Sequence, residues 1–93
     1  MANEQQLQTY KEAILEVIYQ EYGVLKCGAK ILANEISISS RTVERWFYKK
    51  SAPNGEQLLK LMAANEVIFN KVLELVRERK QLKQRFKMDK FKN

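Results

Sequence analysis

Apolar residues return every three or four positions along nearly the whole chain, and nowhere at every second position over a strand's length. A helix turns once in about 3.6 residues and a strand in two, so this recurrence lays apolar stripes along helices. Such stripes are buried by packing helix on helix, with no sheet to build. Leu7, Tyr10, Ile14, Val17 and Ile18 mark a first helix over about 4–21, opened by Asn3 with Gln6 as its reciprocal partner and stopped at Gly23. A second spans about 28–36 and carries Ile31, Leu32 and Ile36 inward, with the small Ala33 between them. A third spans about 40–49, with Ser39 or Ser40 accepting from its free N–H groups.

Pro53 bars any continuation of the third helix. Asn54 and Gln57 then form a capping pair for a fourth helix, whose buried face is Leu58, Leu59, Leu61 and Met62. Asn65 caps a fifth, starting at Glu66. Along it, Ile68, Val72, Leu75, Arg79, Leu82 and Phe86 are spaced 4, 3, 4, 3 and 4, a heptad seam with one arginine in it. Phe69, Leu73 and Val76 widen that stripe, so the first half is expected to pack on the domain and the second to project. The expected architecture is all-α: a compact five-helix helix-turn-helix fold, with four helices in a domain over residues 1–64 and the fifth, a long basic C-terminal helix, over 65–93.

Residue types exclude much chemistry. The chain has 93 residues, one cysteine and no histidine, so an internal disulfide, a Cys/His zinc site and His-based nucleophilic catalysis are ruled out by composition. No glycine-rich phosphate loop or carboxylate pair at a demanding spacing is present, and neither an enzyme nor a cofactor is expected. Cys27 reads as a small buried or semi-buried residue. No apolar run reaches the roughly 18 residues of a membrane span, and the N-terminal segment lacks the basic-then-apolar order of a secretory signal. The expectation is a cytoplasmic protein with no membrane partner and no evident small-molecule ligand.

Charge is uneven. Residues 1–36 hold three lysines against five glutamates, net −2, whereas the remainder holds 14 Lys/Arg against six Asp/Glu, net +8. A basic half on a small domain suits a polyanion. The segment "GAKILANEISISSRTVERW" supplies a way to meet one. Ala33 lets two helices approach, Ile36 and Ile38 plug the corner, and Val43 and Trp46 lie one turn apart on the inner side of the second helix. This is the helix-turn-helix pattern, whose second helix enters the DNA major groove. Its outward side then carries Ser40, Arg41, Glu44, Arg45 and Tyr48.

Residues 28–62 resemble the core of the lambda-repressor-like (phage repressor and Cro-type) DNA-binding domains. "LANEISISSRTVERW" is similar to that family's helix two, turn and recognition helix, and "SAPNGEQLLKLM" to its loop and fourth helix. One departure is Ser37, where the family often has a glycine at positive φ. The resemblance implies base contacts from Ser40, Arg41 and Arg45. Arginine chemistry suits guanine O6 and N7, and Glu44 either accepts from cytosine N4 or holds an arginine in its rotamer, the holding role being favoured. Ser39, Thr42, Tyr48, Lys49, Lys50 and Lys30 are the candidate phosphate contacts. A solvated face, with Glu44 as salt partner of the arginines, is the plain alternative.

Eight Lys/Arg fall between Arg77 and Lys92 against Glu78 and Asp89. Dimerisation through Val72, Leu75, Arg79, Leu82 and Phe86 competes there with phosphate contact. The leading expectation is a homodimeric, sequence-specific regulator of double-stranded DNA acting as a repressor. The alternatives are an architectural or excision-directing factor of a mobile element, or a helical protein-interaction module.

Overall fold

The computed structural model describes residues 9–91, with side chains through residue 83. Among these residues the protein is all-α: α1 (Tyr10–Ile18), a π-helical turn (Tyr19–Gly23), α2 (Gly28–Ile36), α3 (Ser40–Phe47), α4 (Gly55–Ala64) and α5 (Glu66–Phe91). No strand occurs among them, and no helix is long and apolar enough to cross a membrane.

The start of α1 corrects the sequence reading. Thr9 is extended (φ −70°, ψ 160°), so the helix does not run through from residue 4. Its Oγ1 accepts from Glu12 N at 3.1 Å while Thr9 N donates to Glu12 Oε1 at 3.2 Å, which satisfies two end groups reciprocally. The expected cap at Asn3, with Gln6 and Leu7, lies outside the described residues. At the other end α1 widens into the π turn, which rotates Tyr22 into the core at 5% exposure. Gly23 ends that turn under the Tyr19 ring, where a Cβ would collide.

The core draws on every helix: Ile14 and Ile18 of α1, Leu32 and Ile36 of α2, Val43 and Trp46 of α3, Leu61 of α4 and Ile68 of α5. Trp46 is its largest fully buried side chain. α2 packs against α3, the π turn and α4, while α5 lies across α1 and α4. Three residues of the expected apolar stripes on α1, α2 and α4 are on the surface, Tyr10 at 38% exposure being the first. Ile31 is 39% exposed and Leu59 62% exposed. In α2 the inward line runs through Gly28, Leu32 and Ile36, four apart, and Ile31 falls off it by a helical quarter turn. In α4 the inward line centres on Leu61, and Leu59 lies two residues away on the far side.

Gly28 was not singled out by periodicity, yet it is required. A Cβ there would strike the carbonyl of Tyr22, because Leu25 N donates to Tyr22 O (3.1 Å) and folds the connection back on itself. Cys27 is exposed rather than buried and takes a left-handed backbone (φ 58°) at the entry to α2.

α5 begins as expected, with Asn65 Oδ1 accepting from Ile68 N at 2.9 Å. At about 1.5 Å per residue its 26 residues extend about 39 Å. From Arg79 to Lys83 every side chain is exposed, so this part stands clear of the domain. The front of the heptad seam does not: Ile68 is fully buried, Leu75 is 6% exposed and Val72 packs on the core of its own chain. Leu75 is therefore covered within its own chain, whereas Val72 is half-buried. Arg79 turns back, its Nη1 donating to Leu75 O at 3.0 Å. Leu82 is exposed, and the Phe86 side chain lies outside the described residues. Phe69 and Val76 do not widen the buried stripe: both are exposed, about a quarter turn from the Ile68–Leu75 line.

Candidate nucleic-acid interface

α2 and α3 are joined by three residues, Ser37 to Ser39, and each makes a specific contribution. Ser37 adopts φ 59°, ψ 53°, and its N–H donates to Ala33 O. Ile38 N donates to the same carbonyl at 3.0 Å, closing the end of α2 and turning the Ile38 side chain onto the core. The turn thus takes the positive-φ geometry that glycine adopts most easily, with a serine in the position.

Ser39, not Ser40, is the cap. Its backbone is extended (φ −80°, ψ 147°) and its Oγ accepts from Thr42 N at 3.2 Å. Its Oγ also pairs with Thr42 Oγ1 at 3.0 Å. Because one hydroxyl donates to the other, Ser39 and Thr42 together retain one free hydroxyl hydrogen rather than two. The N–H groups of Ser40 and Arg41, at the first two helical positions, have no carbonyl four residues back within the helix.

The far end of α3 comes earlier than expected. The helix stops at Phe47, and Lys49 takes φ 61°. Lys49 N donates to Trp46 O (3.0 Å) and Lys50 N to Arg45 O (2.8 Å), a paired closure that satisfies two terminal carbonyls. Lys49 and Lys50 are both exposed there, where cations are favoured by the helix dipole.

Between these closures α3 divides sharply. Val43 (0% exposed) and Trp46 (1%) hold the inner side. Arg41, Glu44, Arg45 and Tyr48, at steps of three, one and three, are all exposed on the outer side, with Tyr48 at 73%. Ser40 and Thr42 are half-buried on its two flanks. Arg41 and Arg45 are about 6 Å apart along the axis. Among the described residues neither forms an ion pair with Glu44, so the expected clamp of an arginine by Glu44 is not made. The arginines and the carboxylate are three separate, solvent-facing groups, with Glu44 toward the α1 side, where it lines a groove with Lys11 and Tyr19. Lys30 is exposed as well, on α2 rather than on this ridge.

A second feature was missed by periodicity. Tyr19 meets Phe47 edge to face, with ring centroids 5.8 Å apart at 88°, which ties the π turn to the last turn of α3. Beside this pair runs an open groove bordered by Lys11, Glu16, Tyr48 and Lys49. Nothing in the 3–4 pattern marks Tyr19, because it belongs to the π turn, where the helical register slips.

The α2–α3 corner is also braced from behind. Tyr22 Oη donates to Glu35 Oε1 of α2 (2.8 Å) and accepts from Asn65 Nδ2 (3.2 Å), which also donates to Glu21 Oε1 (3.1 Å). One asparagine thereby caps α5 and links it to the tyrosine that holds α2. Burial raises the Tyr22 phenol above its usual range, with the Asn65 bond opposing and Glu35 and Glu21 adding to the rise.

No protein-family model, curated protein or solved structure matches the chain.

Proposed function

We propose that the protein is a sequence-specific double-stranded-DNA-binding regulator, a repressor acting as a homodimer, with α3 as the helix that enters the major groove. The observation that carries this reading is the outer ridge of α3. Two unpaired, exposed arginines one turn apart lie on a short helix whose inner side is locked by Val43 and Trp46. A rigid helix presenting donor-only side chains suits the guanine edge, the commonest specific contact in that groove. Ser39, Lys49 and Lys50 flank the ridge at its two ends, where phosphates on either side of the groove would lie. The net charge of +6 supplies the sequence-independent attraction. The left-handed turn at Ser37 supports the resemblance to lambda-repressor-like domains, since it takes the geometry glycine often provides there. Base contacts are assigned to Arg41, Glu44, Arg45 and Ser40.

Dimerisation rests on the rest of the α5 seam, Leu82 with Phe86, and on exposed Phe69 and Val76. Such a dimer binds half-sites about one DNA turn apart. In-vitro selection of bound duplexes tests the reading. A palindromic consensus is expected, with guanine preferences lost separately in Arg41→Ala and Arg45→Ala, each costing about 1–3 kcal/mol on the preferred site. Equal affinity for all sequences overturns it. Tandem sites with marked DNA bending would favour an architectural role instead.

A further inference from the structure

We propose that the projecting end of α5 seats in the groove between α1 and the end of α3 of a second copy of this chain, so that each protomer supplies one arm and one groove. The inference rests on the homodimer reading and deepens it, by naming the surface that receives α5.

The arm needs a particular kind of cover. From Arg79 to Phe91 it extends about 18 Å. Most helical stability in proteins comes from packing an apolar face, and propensity alone holds a stretch of this length weakly. Leu82 is exposed on the arm, with Arg79 and Lys83 beside it, four residues apart on one row. The arm holds six Lys/Arg against Asp89, net +5. Two arms laid side by side therefore set cation against cation, which is costly. Phosphate would satisfy the cations and leave Leu82 uncovered. A matching surface offers apolar area and carboxylates together.

The groove offers both. Its apolar lining is Leu15, Tyr19 and Phe47, the two rings held edge to face. Along its α1 wall run Glu12, Glu16 and Gln20, all exposed and four residues apart. Glu44 stands on the α3 wall, and Lys11 and Lys49 also border the groove, so its charges sum to −1, three glutamates against two lysines. The Glu12–Glu16 step and the Arg79–Lys83 step are both one α-helical row step, about 6 Å. Helix laid along helix thus sets two carboxylates opposite two cations at matched spacing, while Leu82 meets the aromatic lining. A two-fold dimer makes this contact twice. The acidic front of each chain then faces the basic end of the other, as the division of charge along the sequence suits.

The experiment is sedimentation equilibrium on the full chain and on Glu16→Lys, Lys83→Glu and Leu82→Glu, with helical circular dichroism to check folding. Gln20→Lys, on the same row, takes the place of Glu16→Lys if that variant does not fold. The wild type is expected to dimerise, and each variant to raise the dimer Kd about tenfold or more. An equimolar mixture of Glu16→Lys and Lys83→Glu chains restores wild-type dimerisation, because the mixed dimer has one contact of native charge and one with both charges exchanged. If the mixture stays dissociated, the proposal fails. If the α1 variants leave the dimer unchanged while Leu82→Glu dissociates it, α5 pairs elsewhere: the proposal fails and the homodimer reading stands. A dimer indifferent to every variant also overturns the proposal alone. A wild type that stays monomeric overturns both, and a loss of DNA affinity in Lys83→Glu then places the arm on phosphate instead.

Discussion

Ser37 holds a left-handed backbone (φ 59°) at the corner between α2 and α3, and so do Cys27 (φ 58°) and Lys49 (φ 61°) at two other helix ends. An L-residue in this region carries roughly 1–2 kcal/mol of steric strain, which a glycine avoids at the expense of extra unfolded-chain freedom. Ser37→Gly is therefore expected to stabilise the fold by roughly 0.5–1 kcal/mol, read as a higher midpoint in urea at unchanged slope. An unchanged or lower midpoint would mean that the serine side chain compensates for its backbone. The sequence reading had set Ser37 apart as a departure from the resembled family. In the structure the serine takes the backbone that a glycine would take. Gly28 teaches the opposite lesson. Its φ is unremarkable, and what requires it is the Tyr22 carbonyl pressed against its Cα, a contact between segments that no one-dimensional pattern contains.

At the scale of elements, α3 is set by short-range bonds at its ends and by two side chains on its inner face. α2 is set partly by a brace from α5. The Tyr22 phenol links Glu35 of α2 to Asn65, the cap of α5, and its burial favours the neutral form. A phenol whose folded pKa is raised contributes stability that is fully present below the unfolded pKa, near 10, and lost as pH rises through the folded value. Tyr10, whose hydroxyl donates to Pro53 O at 2.7 Å, is shifted upward by burial in the same direction. Urea midpoints should fall between pH 9 and pH 11, and the fall should be shallower in Tyr22→Phe. An identical alkaline slope in that variant would place the sensitivity elsewhere. α5 shows how a regular pattern divides into different fates. Ile68, Val72 and Leu75 lie in one heptad seam with Leu82, yet Ile68 and Leu75 are buried and Val72 is half-buried while Leu82 is open to solvent.

For the whole molecule the decisive quantity is where charge resides. Of the +8 of residues 37–93, +7 falls on α3, its C-terminal turn and α5, with Lys92 outside the described residues, whereas residues 1–36 carry −2. Binding to DNA is expected to weaken linearly in log affinity against log salt, as counterions are released from neutralised phosphates. Lys49→Ala should lower that slope by about 1 and weaken all sequences alike, leaving the consensus intact. Fluorescence anisotropy across a salt series separates this from an Arg45→Ala change, which alters discrimination. A Lys49→Ala slope equal to wild type would remove Lys49 from the phosphate contacts.

What the sequence alone determined is local. The caps at Ser39, Asn54 and Asn65, the break at Pro53 and the inward stripe of Val43 and Trp46 all follow from bonds or spacings within about one helical turn, and all are present. Such features depend on the dihedrals of a few consecutive residues, so neighbouring letters suffice to specify them. The tertiary structure decided which apolar residues are covered. Ile31, Leu59, Phe69 and Val76 are exposed, while Leu75 is buried in its own chain, because coverage depends on what arrives from elsewhere in the sequence. It also decided that Thr9 rather than Asn3 opens the described α1, that a π turn brings Tyr22 to Glu35 and Asn65, and that Glu44 stands free of its neighbouring arginines. The last of these could not be read from spacing, since an i, i+3 pair permits contact without requiring it: exposed ion pairs gain little over solvation, and water competes for both partners.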